Sequence, residues 1–137
     1  MTDENEELKI EILGIALVEA HFQIKDAVDD AKKLNSEYEI SVEVGIAENL
    51  PPGNLETVVS VICKNKAFPD MIDLRVKAAG RFRGKPEHIA LFLPNSAGLV
   101  MPYIRNYIST LTAWGPMNPL LVPPMNVRIE VPKTSKQ

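Results

Sequence analysis

The residue types that carry most protein chemistry are scarce in this chain. Its 137 residues include two histidines, His21 and His88, and one cysteine, Cys63. Neither histidine stands in a metal-ligand spacing such as H-E-x-x-H. A lone thiol builds neither an internal disulfide nor a multi-cysteine metal site. Cys63 also falls on the apolar face of an alternating stretch, where cysteine behaves as a small hydrophobe. No G-x-S-x-G elbow, phosphate-binding glycine loop or dinucleotide fingerprint occurs. These residues point away from an enzyme, and no cofactor or metal is expected. One charged row, Arg75, Lys77, Arg81 and Arg83, has a spacing that could gather an anion. Without stacking aromatics it reads instead as ion pairing to acids on a neighbouring strand, with Glu19, Glu39 and Glu43 as candidates. The formal net charge of −3 agrees, so nucleic acid is not an expected partner.

What remains is apolar chemistry, and two stretches concentrate it. Met117, Leu120, Leu121, Val122 and Met125 are interleaved with Pro116, Pro119, Pro123 and Pro124. The prolines keep this stretch extended rather than helical. It reads either as a loop covering its own core or as one wall of a peptide groove, where methionine is an adaptable contact. The second stretch is the start of the chain. Over residues 8–24 the even positions are mostly apolar, which is a strand with one buried face. Leu13, Ile15 and Leu17 make the middle of the other face apolar too. A strand apolar on both sides predicts an oligomer interface, with direct contact to a bound polypeptide as the sharper alternative. Gly14 is a candidate bulge.

The elements that must position these residues are set by their periods. A second strand carries Tyr38, Ile40, Val42, Val44 and Ile46 on one face. A third runs over about 55–64 and a fourth over about 71–83, the fourth with Ile72, Leu74, Val76, Ala78 and Phe82 inward. Pro51-Pro52-Gly53-Asn54 is a turn signal. Residues 26–37 read as a helical turn or a mobile loop. A short helix is expected over 86–93. A longer one should begin close to Pro102 and end at Trp114, with Gly115 at the C′ position. Its apolar stripe is Tyr103/Ile104, Tyr107/Ile108, Leu111 and Trp114. Residues 127–131 alternate and predict a last strand. Strands followed by helices mean an α+β domain: a four-stranded antiparallel sheet, then a short and a long helix. The length suits one domain over 1–137, with polar tails at 1–7 and 132–137. The acidic start is unlike a secretory leader, and no apolar run reaches the roughly 20 residues of a bilayer span, so a cytoplasmic protein is expected.

At the long helix the chain resembles a known family. Pro102-Tyr103-Ile104-Arg105, with Ile108 and Gly115 beyond it, runs into Leu120, Val122, Pro124 and Asn126 at alternate positions. This is similar to SecB, the bacterial export chaperone, in which a Pro-Tyr-x-Arg helix ends in Gly before a Leu-x-Leu-x-Pro-x-Asn stretch. Ile12-x-x-Ile15, Glu19, Phe22 and Gly80-Arg81-Phe82 also match, so the likeness extends over about residues 10–127. The resemblance implies an ATP-independent holdase, assembled as a homotetramer, that takes non-native polypeptides into apolar grooves. Met117, Leu120, Leu121, Val122, Met125, Tyr38 and Trp114 would then contact clients. Leu13, Ile15, Leu17, Tyr103, Tyr107 and Leu111 would form the assembly surface. Glu19 matches an acid of the face that docks the SecA motor. Gln23 and Arg75 stand where that face has acids, and Asp73 where it has an apolar residue, so SecA is not an expected partner. The family's final helix and tail have no counterpart after Asn126. A dedicated adaptor or antitoxin-type chaperone with one protein partner is the alternative role. A small-molecule-binding or catalytic α+β domain is a second.

Overall fold

Alternation of apolar and polar side chains builds a four-stranded sheet, and helical spacing in the second half lays two helices on one of its faces. The computed structural model describes residues 8–24, 37–115, 117–125 and 127–129. Strand β1 is Ile10–Ile24, β2 Tyr38–Ile46, β3 Asn54–Asn65 and β4 Ile72–Gly84. Their order in the sheet is β1-β4-β3-β2, and every pairing is antiparallel. The stretch 26–37, expected as a turn of helix or a loop, lies outside the described residues except for Glu37.

The central pair β3 and β4 carries the core. Val59, Val61, Cys63, Leu74, Val76 and Phe82 are all buried on the face that meets the helices. The β2–β3 connection is a tight turn in which the Asn54 N–H donates to the Pro51 carbonyl at 3.1 Å. Gly53 has φ +84, which the third position of a type II turn requires, and a Cβ there would meet the Gly84 carbonyl oxygen at 2.5 Å. After β3, Asn65 Oδ1 accepts the N–H groups of Ala67 and Phe68 at 3.0 and 2.9 Å, which turns the chain back toward β4.

Strand β1 departs from the expected alternation. Ile12 lies opposite Phe82 but Gly14 lies opposite Arg81, and Leu17 lies opposite Ala78 but Glu19 lies opposite Lys77. Leu13 and Val18 are therefore extra residues, each a β-bulge. Paired residues share a face, so each bulge reverses the parity of the residues beyond it. Ile10 and Ile12 face the helices, as the even positions should. Between the bulges it is Ile15 and Leu17 that do so, opposite Gly80 and Ala78, while Ala16 turns outward opposite Ala79. After Val18 the even positions return to the helix side with Ala20 and Phe22. The strand thus has one apolar face that tracks the helices, and the expected second apolar face over Leu13, Ile15 and Leu17 dissolves into a bulged Leu13 and two helix-facing residues.

Helix α1, Pro86–Phe92, opens with proline in its first turn, and a 3₁₀ turn, Leu93–Asn95, links it to α2, Ala97–Ala113. Phe92 packs edge-on against Phe82, ring centres 4.9 Å apart. Helix α2 begins well before Pro102, contrary to expectation. Ser96 already has helical backbone angles, so the chain runs from the 3₁₀ turn straight into the helix, and Pro102 forgoes only the bond to the Gly98 carbonyl. The buried stripe of α2 is Ala97, Val100, Met101, Ile104, Ile108 and Thr112. Gly80 lets it lie close to the sheet: a Cβ there would sit 2.8 Å from Val100 Cγ2 and 2.9 Å from the Phe82 ring. Gly115 follows the helix without the left-handed φ expected at C′, since Gly53 is the positive-φ glycine of the described residues. Its small size has another use, because the Phe22 ring passes 3.4 Å from where a Cβ would be. The expected last strand is absent over 127–129, where the Ile129 N–H donates to the Pro94 carbonyl at 2.9 Å instead of entering the sheet.

Candidate functional site

The groups with catalytic potential are placed for structure. Cys63 is buried in the core, and burial pushes its thiol up to about 12, so the reactive thiolate is suppressed. His88 is buried at the base of α1, where its Nδ1 accepts the Lys9 N–H at 3.4 Å. It borders an open cleft of about 740 Å³ with Lys9, Glu11, Arg83 and Lys85, in which Arg83 is already paired to Glu11. His21 lies on the outer face of the sheet with Nε2 3.3 Å from Asp73 Oδ2. Among the described residues no three or more His, Cys, Asp or Glu side chains converge as a metal site.

The basic row lies on that outer face and is compensated by acids. Arg83 meets Glu11 at 2.9 Å, Arg81 meets Glu56 at 2.8 Å, Arg75 meets Asp73 at 3.2 Å, and Lys77 approaches Glu19 at 4.0 Å. Of the three acids expected to pair with the row, Glu19 does so. Glu39 and Glu43 do not, because the strand order sets β2 two strands away from β4. Exposed pairs of this kind add about 0–1 kcal/mol each, and their effect is mainly to leave the face near neutral.

The helix side offers two apolar surfaces. The first lies between β1 and α2, where Ile15, Ala16, Leu17, Ala78, Tyr103, Ile104 and Tyr107 line a groove of about 190 Å³. Its floor is buried, but its rim is not. Leu17 is 48% exposed and Tyr103 59%, and the bulged Leu13 and Val18 extend the apolar edge along β1. Leu111 continues the line along α2 and is half-buried. The six residues expected to form an assembly surface therefore fall along one line, on β1 and the flank of α2.

The second surface is the proline-rich segment, and it divides by residue. Met117 tucks into a small cluster with Met71 and Ile72, against which Phe22, Tyr38 and Leu120 pack. Burial raises the Tyr38 phenol above its ordinary pKa, opposed by a hydrogen bond with the Asn65 side chain. Val122 is buried in the main core, and Met125 packs against that core. Leu121 and Trp114 point the other way and are 75% and 87% exposed. So five of the seven expected client contacts, Tyr38, Met117, Leu120, Val122 and Met125, are wholly or partly packed inside. The other two, Leu121 and Trp114, stand in solvent.

Three residues with no expectation attached hold that segment in place. Thr112 Oγ1 accepts the Leu120 N–H at 2.8 Å, Ser109 Oγ donates to the Leu120 carbonyl at 3.0 Å, and Arg105 Nε donates to the Val122 carbonyl at 2.9 Å. Their i, i+4, i+7 spacing puts all three on one stripe of α2. That stripe was visible in the sequence, but polar residues at helical spacing ordinarily mark a solvated face. At about 0.5–1.5 kcal/mol net for each bond, the three together are a modest tether.

No protein-family model and no curated protein sequence matches this chain. Among solved structures it is similar to the SecB-like chaperone Rv1957 of Mycobacterium tuberculosis, whose structure was determined in complex with a ChAD peptide from the antitoxin HigA1 (Rv1956). The TM-score is 0.61 at 19% identity, over 85% of this chain and 90% of that one. A Streptococcus agalactiae protein is similar at a TM-score of 0.48 and 6% identity, over 84% of this chain and 97% of that one. The first likeness shows the fold: a four-stranded antiparallel sheet and then two helices, in the SecB-like arrangement.

Proposed function

We propose that this protein is a non-enzymatic, ATP-independent chaperone that holds non-native polypeptides on apolar surface. The observation that carries the proposal is the large apolar surface left open on the helix side. It comprises Leu13, Leu17, Val18 and Tyr103 along β1 and α2, with Trp114 and Leu121 at the far end of α2. Leu17 and Tyr103 line one groove, and large apolar side chains exposed together in this way mark an interaction surface. Burying one large side chain yields about 1.5–3 kcal/mol, and micromolar affinity corresponds to about 8 kcal/mol. Several anchors, less the cost of ordering the client, therefore give reversible binding of moderate strength. The likeness to a chaperone solved with a bound peptide supports the same reading.

Assembly uses part of this surface in our proposal. Leu13, Ile15, Leu17, Tyr103, Tyr107 and Leu111 join copies of the chain into a homotetramer, and Trp114 and Leu121 remain for clients, with Tyr38 and the proline-rich segment beside them. We place the protein in the cytoplasm. No helix of the described residues is long and apolar enough to cross a membrane. A role in export through SecA is disfavoured: Glu19 is opposite Lys77, and Arg75 replaces an acid on the same face. A dedicated adaptor for one protein, such as an antitoxin, is the second reading, and the antitoxin peptide on the similar chaperone favours it.

The test is suppression of aggregation of a chemically unfolded protein, followed by light scattering without ATP. Suppression at one tetramer per client is expected, and its absence would sink the proposal. Capture from native lysate separates the two readings, since a holdase retains many proteins and an adaptor retains one.

A further inference from the structure

Arg105, Ser109 and Thr112 on α2 address the backbone, not the side chains, of residues 120–122. Two carbonyls and one N–H are met, and such groups are present in any polypeptide. The side chains of the stretch alternate as a bound extended peptide's do. Leu120 is half-buried, Leu121 is 75% exposed and Val122 is buried. Main-chain bonds from a fixed element, with alternate side chains taken into pockets, are the usual way an extended peptide is recognised. Besides these bonds the segment is held by the packing of Met117, Leu120, Val122 and Met125. Pro119, Pro123 and Pro124 have no N–H, and no helix or strand includes residues 117–125.

We infer that the Arg105–Ser109–Thr112 ladder is a receptor for extended polypeptide backbone, and that residues 117–125 are its resident occupant. The ligand is a client stretch with apolar residues at i and i+2, which takes the place of Leu120 and Val122. Exchange leaves no ladder group unpaired, because the incoming stretch offers the same two acceptors and one donor. The release it requires is local, since the strands keep their own ladders while the segment opens. This inference rests on the chaperone proposal and refines it: the inward-facing part of the segment competes with clients instead of contacting them.

Amide hydrogen exchange tests it on the unmodified protein, with reduced, carboxymethylated α-lactalbumin as a permanently unfolded client. Binding is followed in parallel by fluorescence anisotropy of the labelled client. Saturating client should speed exchange at the Leu120 amide at least about ten-fold, with the β3 amides unchanged. Client that binds while Leu120 stays protected overturns the receptor assignment and leaves the chaperone proposal standing. Client that does not bind at all removes both. The variant Leu120→Ala gives a second readout, because it weakens the occupant and keeps all three main-chain contacts. Tighter client binding, about five-fold in Kd (a gain of about 1 kcal/mol), supports the inference, and weaker binding makes Leu120 a wall of the client site and overturns it. Should that variant not fold, the exchange measurement decides alone.

Discussion

At Gly80 a single absent methyl sets the distance between the sheet and α2. A Cβ at this position would press Val100 and Phe82 from less than 3 Å, both deep in the core. Gly80→Ala should lower stability by about 1–3 kcal/mol, as overpacking does. At Gly14 a Cβ would meet nothing within 4 Å, so Gly14→Ala should change stability by no more than about 0.5 kcal/mol. Urea midpoints of the two variants check the contrast, and equal losses would mean that packing at Gly80 does not set the spacing. Cys63 makes a second residue-scale prediction. Burial raises its thiol from 9.0 to about 12, so the fold favours the neutral form. That contribution is whole below pH 9 and is lost as pH rises from 9 toward about 12. The stability difference between the wild type and Cys63→Ala should therefore shrink between pH 8 and pH 10.5, and a difference that grows would reverse the sign. A thiol-reactive dye should label Cys63 in urea and spare it in the native protein. The inertness of Cys63 was legible in the sequence, because Val59 and Val61, which precede it on the same strand face, are apolar. The reason for Gly80 was not, since Val100 is distant in sequence and meets it only after α2 docks.

At the scale of elements, strands β2, β3 and β4 were legible because a period of two persists along each of them. Strand β1 was legible as a strand but not in its facing. A bulge adds one residue and leaves the local apolar pattern intact. Gly14 flagged the first bulge, at its neighbour Leu13, while nothing in the string marks Val18. The start of α2 was hidden for a related reason: proline limits a helix locally, whereas the 3₁₀ turn ahead of it fixes where the helix begins. The tether of the proline-rich segment belongs to this scale too. Thr112→Val keeps the shape of a buried side chain and deletes the partner of the Leu120 N–H. It should cost about 1–2 kcal/mol, measured by urea unfolding, and speed exchange at the Leu120 amide. A variant as stable as the wild type would mean that water replaces the hydroxyl and the tether contributes nothing.

At the scale of the whole molecule, one sheet face carries ion pairs and the other carries the core, and many of the exposed large apolar side chains lie on β1 and α2, among them Ile12, Leu13, Leu17, Val18 and Tyr103. The double substitution Leu17→Lys with Val18→Lys changes two exposed side chains and should leave the fold intact while preventing self-association. Light scattering should then report a monomer, against the tetramer expected of the wild type. A wild-type monomer would remove the assembly proposal and leave β1 free for clients. The sequence pattern marked β1 as apolar but could not separate a subunit from a client, because both are matched by the same side chains. The bulges of β1 bear on what that edge does when it meets other chains. An apolar border strand with regular spacing would template copies of itself into a fibre. Here the ladder loses register at Leu13 and again at Val18, so the edge is broken into the runs Ile10–Ile12, Gly14–Leu17 and Glu19–Ile24, and an incoming strand falls out of step at each break. Such an edge accepts brief, mismatched company and cannot propagate it, which suits the proposed chaperone role, in which unfolded chains must be met without seeding their deposition.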